Sequence, residues 1–342
     1  MDKVPGTNYV PPKGAKESNG FGQHGRIMLF SGSASQDLGN EIVNYLHGTY
    51  KMKIKPGEYT RTVFSNENIF LQLKESVRGQ DVYLVQTMAS PVHDNFMEML
   101  IMIDTLKRDS AGRINLVVPY LAYARSDKKD QPRVGIAARL VANIMEVAGA
   151  DRYITVDLHA GQIQGFFNIP GDALSAFILL SDYLVQKKIP DLMVVAADLG
   201  FAKKGRNWAE KLGTQLAIIE KRRVDNAEHP ESLSIIGDVS GKNVLLVDDE
   251  VLTGSSISNA VNLVRASGAR DIYLAFTHPL MSEKAYERLA ALNLKEIIFA
   301  NTLPVPKEKL LSNMKMLSIA PLLGEVILRA HKGESVGKLF NE

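Results

Sequence analysis

The sequence predicts an α/β fold organised as two lobes, each a mostly parallel sheet with helices on both faces. Three observations predict it. Short apolar, β-branched runs alternate with longer segments of helical pattern from end to end, as in parallel strands joined by covering helices. The run Val244-Leu245-Leu246-Val247 is continuously apolar, which fits a strand buried on both faces. The length, 342 residues, suits two domains of ordinary size, and an apolar share of 45% is normal for a globular protein with a full core.

In chain order, residues 1–26 contain Pro11-Pro12, several glycines and mixed charge without an apolar block, and read as a flexible tail, not a signal peptide. Strands are expected at Arg26–Phe30, Val82–Gln86, Ile114–Val118 and Tyr153–Val156. A second set is expected at Met193–Ala196, Leu216–Ile219, Val244–Val247, Ile272–Phe276 and Ile297–Ala300. Helices are expected at 36–47, 92–107, 134–148, 203–213, 256–267 and 283–292. In the 256–267 segment Ile257, Ala260, Val261 and Val264 fall on one face. Gly171-Asp172 and the segment after it mark a domain boundary.

Lys and Arg number 40 against 38 Asp and Glu, a net charge of +2, so nothing points to a nucleic-acid or membrane surface. Cysteine is absent, which excludes disulfides, thiolate zinc sites and a cysteine nucleophile. No apolar stretch is long enough to span a bilayer, and the cytoplasm is the simplest location.

Five segments carry chemistry. In Val244–Ile257 the apolar run enters Asp248-Asp249, and Thr253-Gly254-Ser255-Ser256 follows before a helical pattern begins. Backbone N–H groups and hydroxyls at a helix start suit a phosphate, and adjacent carboxylates suit ribose hydroxyls or a magnesium ion. The acidic pair alone also has a simpler reading, a solvated strand end and helix cap. In Thr155–Phe167 an extended strand end would place Asp157 and His159 on one side, for a metal or a phosphate. A His capping a strand end is the simpler account of that pair. In Tyr123–Asp130 an aromatic and a small residue lead from a strand into Arg125. In Ile218–Asn226, Lys221, Arg222 and Arg223 leave a strand for a polar loop that could close over a polyphosphate, or be a basic surface turn. In Val195–Lys204 a strand ends in Asp198-Leu199-Gly200, which an ordinary N-cap would also explain.

Together, from about Ile27 to Phe340, these segments resemble the ribose-phosphate pyrophosphokinases. Phe30-Ser31-Gly32-Ser33, Phe64-Ser65-Asn66, Glu75-Ser76-Val77-Arg78-Gly79, Asp94-Asn95 with Met97-Glu98, Asp157-Leu158-His159-Ala160, and Gly333-Glu334-Ser335-Val336 with Leu339-Phe340 also match that family's order. The resemblance implies transfer of the β,γ-diphosphate of ATP to the 1-hydroxyl of ribose 5-phosphate, giving phosphoribosyl pyrophosphate and AMP. It implies lobes of phosphoribosyltransferase type at 27–175 and 176–327, with 328–342 returning to the first, and homodimers assembling into a hexamer. It assigns ATP to Phe64, Asn66, Arg125, Ser126, Asp130 and His159, and magnesium to His159 and Asp198. Ribose 5-phosphate falls to Asp198, Asp248, Asp249, Thr253, Gly254, Ser255 and Ser256, and transition-state charge to Lys221 and Arg223. Four residues depart from the family pattern at ligand-facing positions: Asn68, Ser126, Phe201 and Leu252. They keep a second reading open, a non-catalytic or weakly active paralogue that regulates an active partner. The Asp248–Ser256 segment alone also fits a phosphoribosyltransferase.

Overall fold

The computed structural model describes residues 21–22, 24–222 and 232–339. Most of the expected N-terminal tail, and Arg223, lie outside the described residues. The chain divides into two compact units. The first runs through Ser175 and takes in Thr302–Pro304 and the segment from Ser318; the second holds Ala176–Asn301 and Val305–Leu317.

The first unit is built on β1 (Phe21–Gly22), β2 (Gly25–Ser31), β5 (Asp81–Val85), β6 (Arg113–Val118), β7 (Arg152–Val156) and β8 (Gly171–Leu174), in that spatial order. All neighbours are parallel except β1 and β2. A separate antiparallel hairpin, β3 (Tyr59–Val63) with β4 (Ile69–Leu73), is inserted between β2 and β5. Helices α1 (Gln36–Tyr50), α2 (Val92–Arg108) and α3 (Ala137–Ala148) follow their strands. Residues 134–136 were expected in α3 but stay outside it. Pro132, Arg133 at φ +67° and Gly135 favour a turn there.

The segment returning to this unit starts at Ser318, ten residues before the expected 328, because a whole helix is buried and not only its end. That helix, α8 (Ala320–Lys332), buries Leu322, Leu323, Val326, Ile327 and Leu328, and with them the polar residues Glu325, Arg329 and His331. Its close approach to α1 is set at Gly324, where a Cβ would lie 2.6 Å from the Tyr45 ring. Glu325 accepts hydrogen bonds from Tyr45 Oη at 2.8 Å and from Tyr50. His331 Nδ1 lies 2.7 Å from Asp81 Oδ2, and Arg113 donates to both Asp81 oxygens at 2.8 Å. A buried carboxylate is tolerated only when its oxygens are filled in this way.

The second unit is a seven-stranded sheet in the order β11 (Ser232–Ile236), β10 (Gln215–Arg222), β9 (Leu192–Ala196), β12 (Asn243–Glu250), β13 (Ile272–His278), β14 (Glu296–Ala300), β15 (Met314–Leu317). All neighbours are parallel except β10 and β11. Helices α4 (Phe177–Lys187), α5 (Ala202–Leu212), α6 (Ser255–Ala266) and α7 (Glu283–Ala291) flank it. The predicted face of α6 is the buried one: Ile257, Ala260, Val261 and Val264. The chain moves from β9 outward to β10 on one side, then crosses back so that β12, β13, β14 and β15 extend the sheet on the other. Connections therefore diverge between β9 and β12, and their C-terminal ends border a crevice that no crossover covers.

The Asp81 centre yields a prediction. Burial would raise the Asp81 carboxyl, but hydrogen bonds from His331 and Arg113 outweigh it and hold the group below its ordinary range. A depressed carboxylate stabilises the fold above its unfolded pKa, and that contribution is lost as pH falls through the folded value. Asp81→Asn should cost about 3 kcal/mol at neutral pH, measured by urea unfolding. It should also flatten the loss of stability that the parent shows below about pH 4; an unchanged acid limb would contradict the assignment.

Candidate active site

In the first unit the loops after β6 and β7 lie beyond the C-terminal ends of adjacent parallel strands. Tyr123 takes φ +64° and its carbonyl accepts from Ser126 N at 2.9 Å, a tight turn that leaves Arg125 and Ser126 exposed. Asp127 points inward instead and accepts from Gln162 Nε2, tying this turn to the loop after β7. That bond brings the Arg125 and His159 segments together. Asp130 is exposed farther along the same loop. Asp157 and His159 do not share the extended geometry expected of them. β7 ends at Val156, and Asp157 enters the left-handed region at φ +42°, where its Oδ1 accepts from Ser175 Oγ at 2.7 Å.

Phe64 and Asn66 sit in the turn of the β3–β4 hairpin. Phe64 N donates to Asn68 O at 2.9 Å, Glu67 takes φ +66°, and Asn66 Oδ1 accepts from Asn68 N at 3.2 Å. The Phe64 ring is 52% exposed, with its centroid 6.2 Å from that of Phe70. An aromatic face on so short a support is available for stacking. The hairpin is anchored by contacts the sequence reading missed. Glu98, buried on α2, accepts from Ser33 N at 3.0 Å, Ser33 Oγ at 2.8 Å and Tyr59 Oη at 3.3 Å, and pairs with Arg61 Nε at 3.2 Å. Alternation in Tyr59–Val63 and Ile69–Leu73 around a polar turn was the available signal.

In the second unit the candidate residues gather at the β9/β12 divergence. Asp198 follows β9 in extended conformation, is exposed, and caps the turn of Leu199–Phe201 by accepting from Phe201 N at 2.9 Å. Asp248 and Asp249 do not lie past the end of their strand, as expected, but within it. β12 runs on to Glu250 because β13 keeps pairing, with Asp248 opposite Phe276 and Glu250 opposite His278. Burial, then the neighbouring Asp249 and Asp198, raise the Asp248 carboxyl well above its ordinary range. Three carboxylates thus crowd one strand end.

The turn after them leads into a helix N-terminus. Gly254 takes φ +72° and caps α6 without a side chain of its own to fill the first helical turn, where Thr253 Oγ1 accepts from Ser255 N at 3.5 Å. The leading N–H groups of a helix have no intrahelical acceptor, and they carry the positive end of its dipole. Thr253 Oγ1 and Ser255 Oγ lie 2.9 Å apart, and Thr253, Ser255 and Ser256 are exposed. Space for a Cβ at Gly254 exists, 3.5 Å from Ala285 Cα; the conformation is what selects glycine. Ser255 opens the helix and needs no special backbone.

Lys221 was expected in a loop. It lies instead in β10, which runs past Ile219 because β11 pairs with it, Lys221 opposite Leu233.

Comparison with known proteins decides the family. A profile described as the N-terminal domain of ribose phosphate pyrophosphokinase matches residues 27–149, and one described as a phosphoribosyl synthetase-associated domain matches residues 226–341. The ribose-phosphate pyrophosphokinase of Wolinella succinogenes is 46% identical over 312 residues, 91% of this chain and 98% of that protein. That of Oceanobacillus iheyensis is 43% identical over 315 residues, covering 92% and 97%. The chain belongs to the ribose-phosphate pyrophosphokinase family. The crystal structure of phosphoribosylpyrophosphate synthetase from Mycobacterium smegmatis superposes with a TM-score of 0.84 at 41% identity, covering 90% of this chain and 99% of that one.

Against this ribose-phosphate pyrophosphokinase frame, the four departures share one property. Each supplies the local geometry with main-chain atoms. Asn68 O closes the hairpin turn, and Ser126 donates to Tyr123 O and accepts from Ala138 N at 3.2 Å. Phe201 N fills one Asp198 oxygen, and Leu252 O accepts from Ser282 N at 2.9 Å. Any residue but proline provides such atoms.

Gly254→Ala should cost about 1–2 kcal/mol of stability, read from urea unfolding, because the alanine must hold a left-handed conformation. Equal stability of variant and parent would show that the turn relaxes.

Proposed function

We propose that this chain is a ribose-phosphate diphosphokinase, transferring the diphosphate of ATP to the 1-hydroxyl of ribose 5-phosphate to give phosphoribosyl pyrophosphate and AMP. The observation that carries the reading is the β9/β12 divergence, where Asp198, Asp248 and Asp249 meet the Thr253–Ser256 turn, in a chain whose relatives over nine-tenths of its length carry that name.

The second unit holds the acceptor. The first amides of α6 and the hydroxyls of Thr253, Ser255 and Ser256 bind the 5-phosphate, with Gly254 keeping the backbone close. Asp248 and Asp249 accept hydrogen bonds from ribose hydroxyls and so fix the sugar's orientation. The first unit holds the donor: the Phe64 ring stacks on adenine, Asn66 bonds its edge, and Arg125 and His159 take the phosphates, with Ser126 and Asp130 beside them. The 1-oxygen forms a bond to the β-phosphorus as the bond to the α-phosphate oxygen breaks, the hydroxyl proton is released and AMP departs. No covalent enzyme intermediate is required. Lys221 and Arg223 offset the charge that spreads over the transferring group.

Magnesium fits this donor set. Asp248 has like charges as neighbours, and Asp198 offers an exposed hard oxygen. Among the described residues no group of three or more His, Cys, Asp or Glu could hold a metal unaided. An ion bound largely through substrate phosphates and water needs few protein ligands; Asp198 would offer one from the second unit, and His159 would be the candidate in the first. When bound, it neutralises phosphate charge.

Among the described residues no helix is long and apolar enough to cross a membrane; the proposed location is the cytoplasm, a compartment that holds ATP. On α3, Leu140 is 59% and Val147 84% exposed at helical spacing. A second copy of the chain would cover them in a homo-oligomer; dimers assembling into a hexamer is the assembly the family resemblance implies.

The direct test is purified chain with ATP, ribose 5-phosphate and magnesium, assayed for AMP and phosphoribosyl pyrophosphate. Turnover is expected. Lys221→Ala should lower kcat at least about a thousandfold and leave ATP affinity within about twofold; full activity of the variant would refute its role. Failure of the parent to turn over, with activity restored in a partner's presence, would favour the regulatory paralogue. Consumption of phosphoribosyl pyrophosphate with a nucleobase, without ATP, would favour the phosphoribosyltransferase.

A further inference from the structure

The anion-binding turn is held from behind. Leu252 O accepts from Ser282 N at 2.9 Å, and Thr253 O accepts from Arg288 Nη1 at 2.7 Å. Both donors come from α7 and its cap: Ser282 is the N-cap, and Arg288 stands two turns farther on. In a trans peptide the C=O and the following N–H point in opposite directions. Fixing the Leu252 and Thr253 carbonyls on the α7 side therefore turns the N–H groups of Thr253 and Gly254 to the other side. The Thr253–Gly254 peptide is the one that needs a clamp. It leads directly into the left-handed Gly254, φ +72° and ψ 1°, where the backbone is freest to rotate.

Arg288 is exposed, so burial does not account for its position. Its guanidinium makes a charge-assisted hydrogen bond to a carbonyl, which polarises that peptide and strengthens its N–H as a donor to an anion. A permanently charged group one peptide from the phosphate also raises the local positive potential.

We propose that Arg288 is a positioning residue for ribose 5-phosphate: it clamps the Thr253–Gly254 peptide with its N–H facing the 5-phosphate, without touching the substrate itself. The proposal rests on the reading of the Thr253–Ser256 turn as the sugar-phosphate site.

Arg288→Met and Arg288→Lys test it, with KM and kcat measured for each substrate and ribose 5-phosphate titrated calorimetrically onto parent and variants. Loss of one charge-assisted bond should raise the KM and Kd for ribose 5-phosphate about tenfold in Arg288→Met. The KM for ATP and the unfolding midpoint should stay near parental values, and Arg288→Lys should recover part of the loss. Parental affinity of Arg288→Met for ribose 5-phosphate overturns the proposal. So does an equal loss toward both substrates, which would mark a structural role. A parent that binds no ribose 5-phosphate overturns the site reading and the proposal with it, whereas a parent that binds while Arg288→Met binds equally well overturns the proposal alone. If Arg288→Met does not fold, Arg288→Lys decides: its lysine keeps the charge but loses the fixed fork, and a ribose 5-phosphate KM equal to the parent's, with ATP unchanged, refutes the clamp.

Discussion

Parallel strands need crossovers, and a crossover covers the strand ends it spans. Where two consecutive crossovers leave in opposite directions, the strand ends between them stay open, and the second unit has that arrangement between β9 and β12. The rest of its site depends on this opening. Asp198 sits at the end of β9 and Asp248-Asp249 at the end of β12, brought level by a register that pairs Ala196 with Val247. In the first unit the parallel strands run β2, β5, β6, β7, β8 without such a reversal. Its candidate residues stand on loops and on an inserted hairpin, which need separate anchors: Asp127 to Gln162 for one, Glu98 to Ser33, Tyr59 and Arg61 for the other.

The two units therefore solve positioning in different ways. In the second, the sheet itself sets where the carboxylates stand, and the loop after β12 is shaped through bonds of its own main chain, to main-chain atoms of His278 and Ser282 and to the Arg288 guanidinium. In the first, buried side chains do the work. Substitution is tolerated differently as a result. At Leu252, Phe201, Ser126 and Asn68 the hydrogen bonds described run through main-chain atoms, which other residue types supply equally. A change at Glu98 would strip the hairpin of its anchor at Ser33, Tyr59 and Arg61.

Much of this was legible in the sequence, and for identifiable reasons. The central strands of both sheets announce themselves as short apolar runs, whereas the edge strands β1, β8, β11 and β15 were not expected; the α6 face was read residue for residue because Ile257, Ala260, Val261 and Val264 obey the helical period. Helix α4 was missed because Phe177-Ile178-Leu179-Leu180 is apolar on successive positions and masks that period. The β3–β4 hairpin was missed because Arg61 and Phe70 interrupt its alternation. Strand ends were misjudged wherever a neighbour decides them: β12 continues to Glu250 because β13 is there to pair, and β10 continues through Lys221 because of β11. The candidate residues were found by type and order, but their supports were not, since a contact such as Asp81 with His331 spans 250 positions and has no local signature.

Electrostatics adds a last step. Burial and two like-charged neighbours push Asp248 toward its neutral form. A protein that only needed a stable strand end would gain by placing apolar or basic residues there. Crowded carboxylates persist at a cost in stability when something bound offsets them, and a sugar's hydroxyls with a divalent ion beside its phosphate supply both donors and charge. The helix start a few residues on has the opposite polarity, an N-terminus with open amides and no carboxylate cap. A ligand neutral or cationic along its length would satisfy one half of this surface and be repelled by the other. One that is anionic at one end and hydroxylated at the other satisfies both, as the sugar phosphate proposed for this turn does.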